Sequence, residues 1–197
     1  MFKKYWKFFV IFWSVVLVGI IGVFVFFWLI SAGKLGFMPT FEELENPNNR
    51  FASEVYFADG PIMNRYFEKE NRKYIEYREI PQSVIDALIA TEDVRFYDHS
   101  GVDVRGLFRV AKGLLTANTS AGGGSTISQQ LAKMLFPRES DLNVFELAIR
   151  KFREWVIAVR LEKSYTKEEI LTMYLNKYDF LNLAVGISSA ADIYFQV

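Results

Sequence analysis

Between Ala90 and Lys133 the chain gathers residue types that move protons and hold anions. Glu92 and Asp93 are adjacent carboxylates, followed by Phe96, the only histidine, His99, and Gly101. After a polar loop, Gly122, Gly123 and Gly124 run into Ser125, Thr126, Ser128, Gln129, Gln130 and Lys133. An acid able to take a proton, near a glycine-rich helix start able to hold an anion, suits an activated, phosphorylated substrate.

Glu92 and Asp93 close a helix that opens at Pro81 and repeats Val84, Ile85, Leu88 and Ile89 at helical spacing. The macrodipole disfavours negative charge at that end, so the acid pair is an unfavourable arrangement. A carboxylate there, partly shielded by Phe96, is a candidate general base. Backbone N–H groups at the start beginning with Ser125 or Thr126 offer an anion site, and Lys133 lies on the face of Gln129, four residues on. The spacing is not that of a Walker loop, so nucleotide binding is not supported.

A third element runs from about Val144 to Leu161, where Phe145, Ile149, Phe152, Val156 and Val159 form one apolar stripe expected to face the core. Arg150, Lys151 and Glu154 then fall off that stripe together. Each segment read alone also fits an ordinary structure: a solvated helix end with His99 in a loop, an Ala-Gly linker with an N-cap, and a salt-bridged surface.

The rest of the chain must position these residues. With 197 residues, 51% of them hydrophobic, it has room for a membrane segment and one packed domain. Lys3, Lys4 and Lys7 precede an uncharged run from Phe8 to Ile30, long enough to span about 30 Å of hydrocarbon and longer than a signal-peptide core. Only Lys34 follows closely, which predicts a single-pass helix with its N-terminus in the cytoplasm and all later residues outside. There is no cysteine, hence no disulfide or thiolate metal site.

The expected organisation is a stub and transmembrane helix over 1–30, a linker over 31–50 with Pro39, Pro47 and an acidic patch, and one domain over 51–197. A hairpin is expected from Ala52–Phe57 and Ile62–Phe67 around Asp59-Gly60-Pro61. Later helices should start at Ser125 or Thr126, near Asp141 to Asn143, and at Thr166. Thr126-x-x-Gln129 and Thr166-x-x-Glu169 have capping-box spacing.

Taken together the segments resemble the peptidoglycan glycosyltransferases of class A penicillin-binding proteins and monofunctional transglycosylases. Glu92-Asp93-x-x-Phe96-x-x-His99-x-Gly101 is similar to the first family motif, and Gly123-Gly124-Ser125-Thr126-Ile127-Ser128-Gln129-Gln130 to the second, with Ser128 where Thr is usual. Arg150-Lys151-x-x-Glu154 resembles the third, and Ile170-Leu171-x-x-Tyr174-Leu175-Asn176 the fourth.

The resemblance implies a mainly α, lysozyme-like lobe with a short hairpin and a membrane-apposed part. It implies polymerisation of lipid II into β-1,4 glycan with release of polyprenyl diphosphate at the plasma (inner) membrane, in cell-wall synthesis. Glu92 would take the acceptor's proton and Glu154 would assist near the donor. Lys133, Arg150 and Lys151 would face the diphosphate, with Ser125, Thr126, Gln129 and Gln130 contacting substrate. Asp93, Phe96, His99, Gly101 and Asn176 would be supporting residues. Lipid II, the growing lipid-linked glycan, the bilayer and other cell-wall synthesis proteins are the implied partners, with no nucleic acid. No cofactor is required, although a divalent cation such as Mg²⁺ would help neutralise diphosphate; no ligand cluster for a metal is visible in the sequence.

The sequence departs from the family after Asn176. Leu181, Leu183 and Val185 stand where two glycines and a tyrosine are usual, and Gln196-Val197 where Gly-Lys is. The domain is therefore expected to be incomplete at its C-terminus. Two other functions fit parts of the pattern: a membrane-anchored lipid II-binding fragment without turnover, and a lysozyme-like glycoside hydrolase cleaving polymer through a water channel.

Overall fold

Helix α1 (Phe2–Ser31) is continuous, and its stretch Tyr5–Ser31 has a mean hydropathy of 2.8 with none of its most apolar window buried. It is long and apolar enough to cross a membrane. The computed structural model describes residues 2–40, 43–44, 53–56, 62–66, 74–116, 123–136 and 143–196.

Beyond α1 the chain is mainly helical. Strands β1 (Ser53–Tyr56) and β2 (Ile62–Tyr66) pair antiparallel, Ser53 opposite Tyr66, with an irregularity at Val55/Tyr56. The expected Asp59-Gly60-Pro61 turn lies outside the described residues. Helices α2 (Gln82–Glu92), α3 (Val104–Leu115), α4 (Ile127–Leu135), α5 (Val144–Ser164), α6 (Lys167–Lys177) and α7 (Ile187–Phe195) follow. Helix α4 packs on α5 and α6, and α1 on α5.

The core joins Ile85, Phe96, Ile127, Leu131, Ile157, Leu161, Ile170, Leu171 and Tyr174. Full burial of such a side chain contributes about 1.5–3 kcal/mol, so Phe96 alone ties the segment after α2 to the body of the domain. Capping boxes open α5, through Asn143 and Glu146, and α6, through Thr166 and Glu169. Thr40 and Glu43 form a similar reciprocal pair in the expected linker, where Leu44 is wholly buried. That part of the linker is docked rather than free.

Three expectations need correction. The supposed polar loop after Gly101 contains α3: Val104, Leu107, Phe108 and Val110 share helical spacing, and Asp103 accepts the Gly106 N–H at 2.9 Å at its start. The apolar stripe of α5 does not face the core. Phe145 is 72% exposed, Phe152 packs edge-on against Phe26 and Phe27 of α1, and the buried positions are Ile157, Ala158 and Leu161. Periodicity identifies an apolar face but not what covers it, and here Phe26 and Phe27 of the apolar helix α1 cover Phe152. The Thr126–Gln129 box is half made. Thr126 accepts the Gln129 N–H, but the Gln129 side chain turns away to the Gly101 carbonyl.

Candidate functional site

Glu92 is the last residue of α2 and Asp93 its C-cap. Asp93 is 7% exposed, and its carboxylate accepts the backbone N–H of Ile127 at 3.1 Å while facing His99 Nε2 at 3.0 Å. The unfavourable end of α2 is therefore also the favourable start of α4, where exposed N–H groups and the macrodipole welcome a negative charge. Gly101 N–H donates to His99 Nδ1 at 3.3 Å, which assigns the ring proton to Nε2, directed at Asp93.

The turn carrying Phe96 and His99 is held from behind. Lys167 Nζ donates to the carbonyls of Phe96 (2.5 Å) and His99 (2.7 Å), lies 4.2 Å from the Phe96 ring centroid, and pairs with Glu162 at 2.8 Å. Glu162 also accepts from Ser128 Oγ. A lysine in the first turn of α6 opposes the macrodipole, and these acceptors compensate it.

Gly101 is the hinge between the first two motifs. Its φ is +96°, and a Cβ there would lie 2.8 Å from the Ala158 carbonyl carbon, so only glycine lets the turn approach α5 this closely. Its carbonyl accepts from Thr126 Oγ1 at 2.7 Å and Gln129 Nε2 at 3.3 Å. Thr126, Ser128 and Gln129 are buried, and Gln129 Oε1 has no hydrogen-bond partner among the described residues.

A cavity of about 400 Å³ opens between the end of α2 and the start of α4. Glu92, Gly123, Gly124, Ser125, Thr126 and Gln130 are among the residues that line it. Glu92 Oε2 accepts from Gln130 Nε2 at 2.8 Å. Lys151 Nζ donates to Ser125 Oγ at 3.0 Å and to Glu154 Oε2 at 2.9 Å, so the third motif reaches the cavity through Ser125. Arg150 is half-buried one residue earlier on α5, and the exposed Lys133, in the last turn of α4, does not line the cavity.

Asn176 lies apart and is structural in its contacts. Its side chain accepts from Ile75 N and donates to the carbonyls of Ile75 and Thr172, all at 2.8–2.9 Å. It fixes the segment before α2 to α6. Among the described residues no group of three or more His, Asp or Glu side chains is arranged to hold a metal ion.

The structure adds residues the motifs did not single out. Arg95 and Arg109 line the cavity. Arg95 pairs with Asp103, its Nε at 3.1 Å. Burial works to raise the Asp103 pKa, but the Arg95 hydrogen bond, the Gly106 N–H and the Arg95 charge together bring it below the usual aspartate value. Arg109 Nη2 reaches the Gly123 carbonyl at 3.3 Å. Glu162 and Lys167 also join the support of the site, and Tyr174 of the fourth motif reaches Gln130. Asp103, three residues before Gly106 and at the start of the helix that carries Arg109, is the local signal for that helix.

A model of the transglycosylase family matches residues 59–197. The chain is 39% identical to penicillin-binding protein 1A of Escherichia coli over 158 residues, covering 80% of this chain and 18% of that protein. It is 38% identical to penicillin-binding protein 1A of Pseudomonas aeruginosa and 35% identical to that of Neisseria gonorrhoeae, with 80% of this chain and 18% and 19% of those proteins covered. The chain spans about a fifth of the length of these curated relatives.

Proposed function

The chain belongs to the transglycosylase family, and from that membership we propose that it is a peptidoglycan glycosyltransferase that polymerises lipid II. The 4-hydroxyl of an acceptor sugar attacks the anomeric carbon of the donor. The bond from that carbon to the diphosphate oxygen breaks, a β-1,4 bond forms, the hydroxyl proton passes to Glu92, and polyprenyl diphosphate leaves.

One observation carries this reading: Glu92 and Ser125 line the same cavity, and Ser125 Oγ is bound by Lys151, itself paired with Glu154. A base and a preorganised cation therefore serve one space, as transfer from a diphosphate requires. Among the motif cations Lys151 is the one tied to the cavity, through Ser125, and it is assigned to the leaving group, with Arg150 and Lys133 outside the lining. Glu154 holds Lys151 and assists at the donor. Thr126 and Gln129 keep the helix start in place, and Gln130 contacts both Glu92 and substrate. In this reading no cofactor is required, and a divalent cation such as Mg²⁺ would help neutralise the diphosphate.

The lipid tail of such a substrate calls for a lobe lying on the bilayer. Phe152 meets Phe26 and Phe27, and farther along both helices Arg160 donates to the Ser31 carbonyl and hydroxyl at 2.8 Å. Helices α1 and α5 thus run parallel, and with the lysine-rich end of α1 in the cytoplasm, α5 begins nearer the bilayer than it ends. Exposed Val144 and Phe145 on α5 and Val104, Phe108 and Leu115 on α3 supply apolar surface for that contact. The domain lies outside the plasma (inner) membrane, where lipid-linked glycan and other cell-wall synthesis proteins are the partners.

Incubation of the purified chain in detergent with fluorescent lipid II, followed by gel separation, tests this function. A ladder of glycan strands is expected. Lipid II binding without a ladder would leave a binding fragment, and cleavage of preformed glycan without lipid II would indicate a hydrolase.

A further inference from the structure

We infer that Tyr174, on α6, is a positioning residue for the Glu92 carboxylate and acts through the amide of Gln130, an inference that rests on Glu92 being the base. An ionised carboxylate only accepts hydrogen bonds, so the end of Gln130 that meets Glu92 Oε2 at 2.8 Å must be its NH₂ group. Gln130 Oε1 then points the other way, and Tyr174 O–H donates to it at 3.0 Å. The tyrosine hydroxyl is what distinguishes the two ends of the amide. Without it the amide can turn over and present oxygen to the carboxylate, or swing out of the cavity.

The surroundings make this assignment rigid. Tyr174 is 2% exposed, packed among Leu131, Leu171 and Leu175 in the core cluster, and stacked on Tyr178 with ring centroids 5.4 Å apart. Burial, with the Glu92 charge adding to it, pushes the phenol well above its usual pKa, so it remains a donor at any working pH. The neighbouring Gln129 offers the contrast: its Nε2 reaches Gly101, but its Oε1 has no partner among the described residues. Gln130 lines the cavity and Tyr174 does not, which places the tyrosine one residue behind the reacting groups.

Tyr174→Phe tests this in the full chain, because it removes one oxygen and keeps the ring. Polymerisation of lipid II should lose about tenfold or more in kcat, as expected when a base is no longer held in line, with KM changed less than about twofold. Rates are counted per molecule competent to bind lipid II, so a loss of folded protein does not enter. On a Gln130→Ala background, Tyr174→Phe should cause no further loss, because its route to Glu92 is already cut. Wild-type kcat in Tyr174→Phe, or an equal additional loss on the Gln130→Ala background, would overturn the relay. Glu92→Gln measured alongside separates the two levels. If it is inactive while Tyr174→Phe is unimpaired, only the relay is wrong; if it polymerises at the wild-type rate, both the relay and the role of Glu92 are wrong.

Discussion

His99 Nε2 lies 3.0 Å from Asp93 Oδ2, with side-chain exposures of 7% and 4%. The same carboxylate holds the first N–H of α4. Asp93 is thus the joint between the segment that carries Glu92 and the helix start that forms the opposite wall of the cavity.

Asp93→Ala should destabilise the domain by about 2–4 kcal/mol, since it strands a buried N–H and the imidazole donor together. Asp93→Asn, which still accepts one bond, should cost less. Denaturant melts in detergent measure both, and a change below about 0.5 kcal/mol for Asp93→Ala would mean that the joint carries no weight.

Two glycines near the cavity should respond oppositely to alanine. At Gly101 the positive φ and the 2.8 Å approach to the Ala158 and Val159 backbone leave no room for a methyl group. At Gly123 nothing among the described residues lies within 4 Å of the added carbon. Gly101→Ala should lose about 3 kcal/mol or more, with poor expression, while Gly123→Ala stays within about 1 kcal/mol of wild type. Thermal melts of the two variants side by side decide this.

The Arg95–Asp103 pair gives stability a defined acid dependence. Because the folded Asp103 pKa is depressed, its contribution is full above the ordinary value of 3.8 and is lost as the pH falls through the lower, folded value. Asp103→Asn should therefore be less stable than wild type at pH 5 and above, and the difference should shrink below about pH 4. A difference between the melts that stays constant down to pH 3 would show that the pair is not the source.

Lys151 bridges Ser125 and Glu154, so Lys151→Met should lower kcat for lipid II polymerisation by about 10²-fold or more, as loss of a cation from a developing negative charge does. Lys151→Arg should recover only part of it, because a planar guanidinium does not replace a compact ammonium between two acceptors. Steady-state kinetics of the two variants report this directly.

What the sequence revealed was local. The apolar run of α1, the Thr166 capping box and the motif order can each be read within a short window, and all three have structural counterparts. What it concealed was partnership across distance. The apolar residues of α3 are interrupted by Gly106, Arg109 and Gly113, which made the segment look like loop. Phe152 announces an apolar face but not that Phe26 covers it, 126 positions earlier. Lys167 belongs to the turn at Phe96 and His99, and Tyr174 to Glu92 through Gln130; neither spacing has a local signature. In the candidate site, Glu92, Ser125 and Lys151 came from motifs, whereas Arg95, Asp103 and Arg109 emerged only once α3 was folded against the cavity.

The central claim is that Glu92 takes the acceptor's proton inside a cavity that also holds the diphosphate. Glu92→Gln removes the base and little volume, and it keeps a partner for Gln130. Glycan synthesis and lipid II binding measured together on this variant give the most direct test. The expected result is binding close to wild type with polymerisation abolished; glycan strands formed at the wild-type rate would contradict the claim.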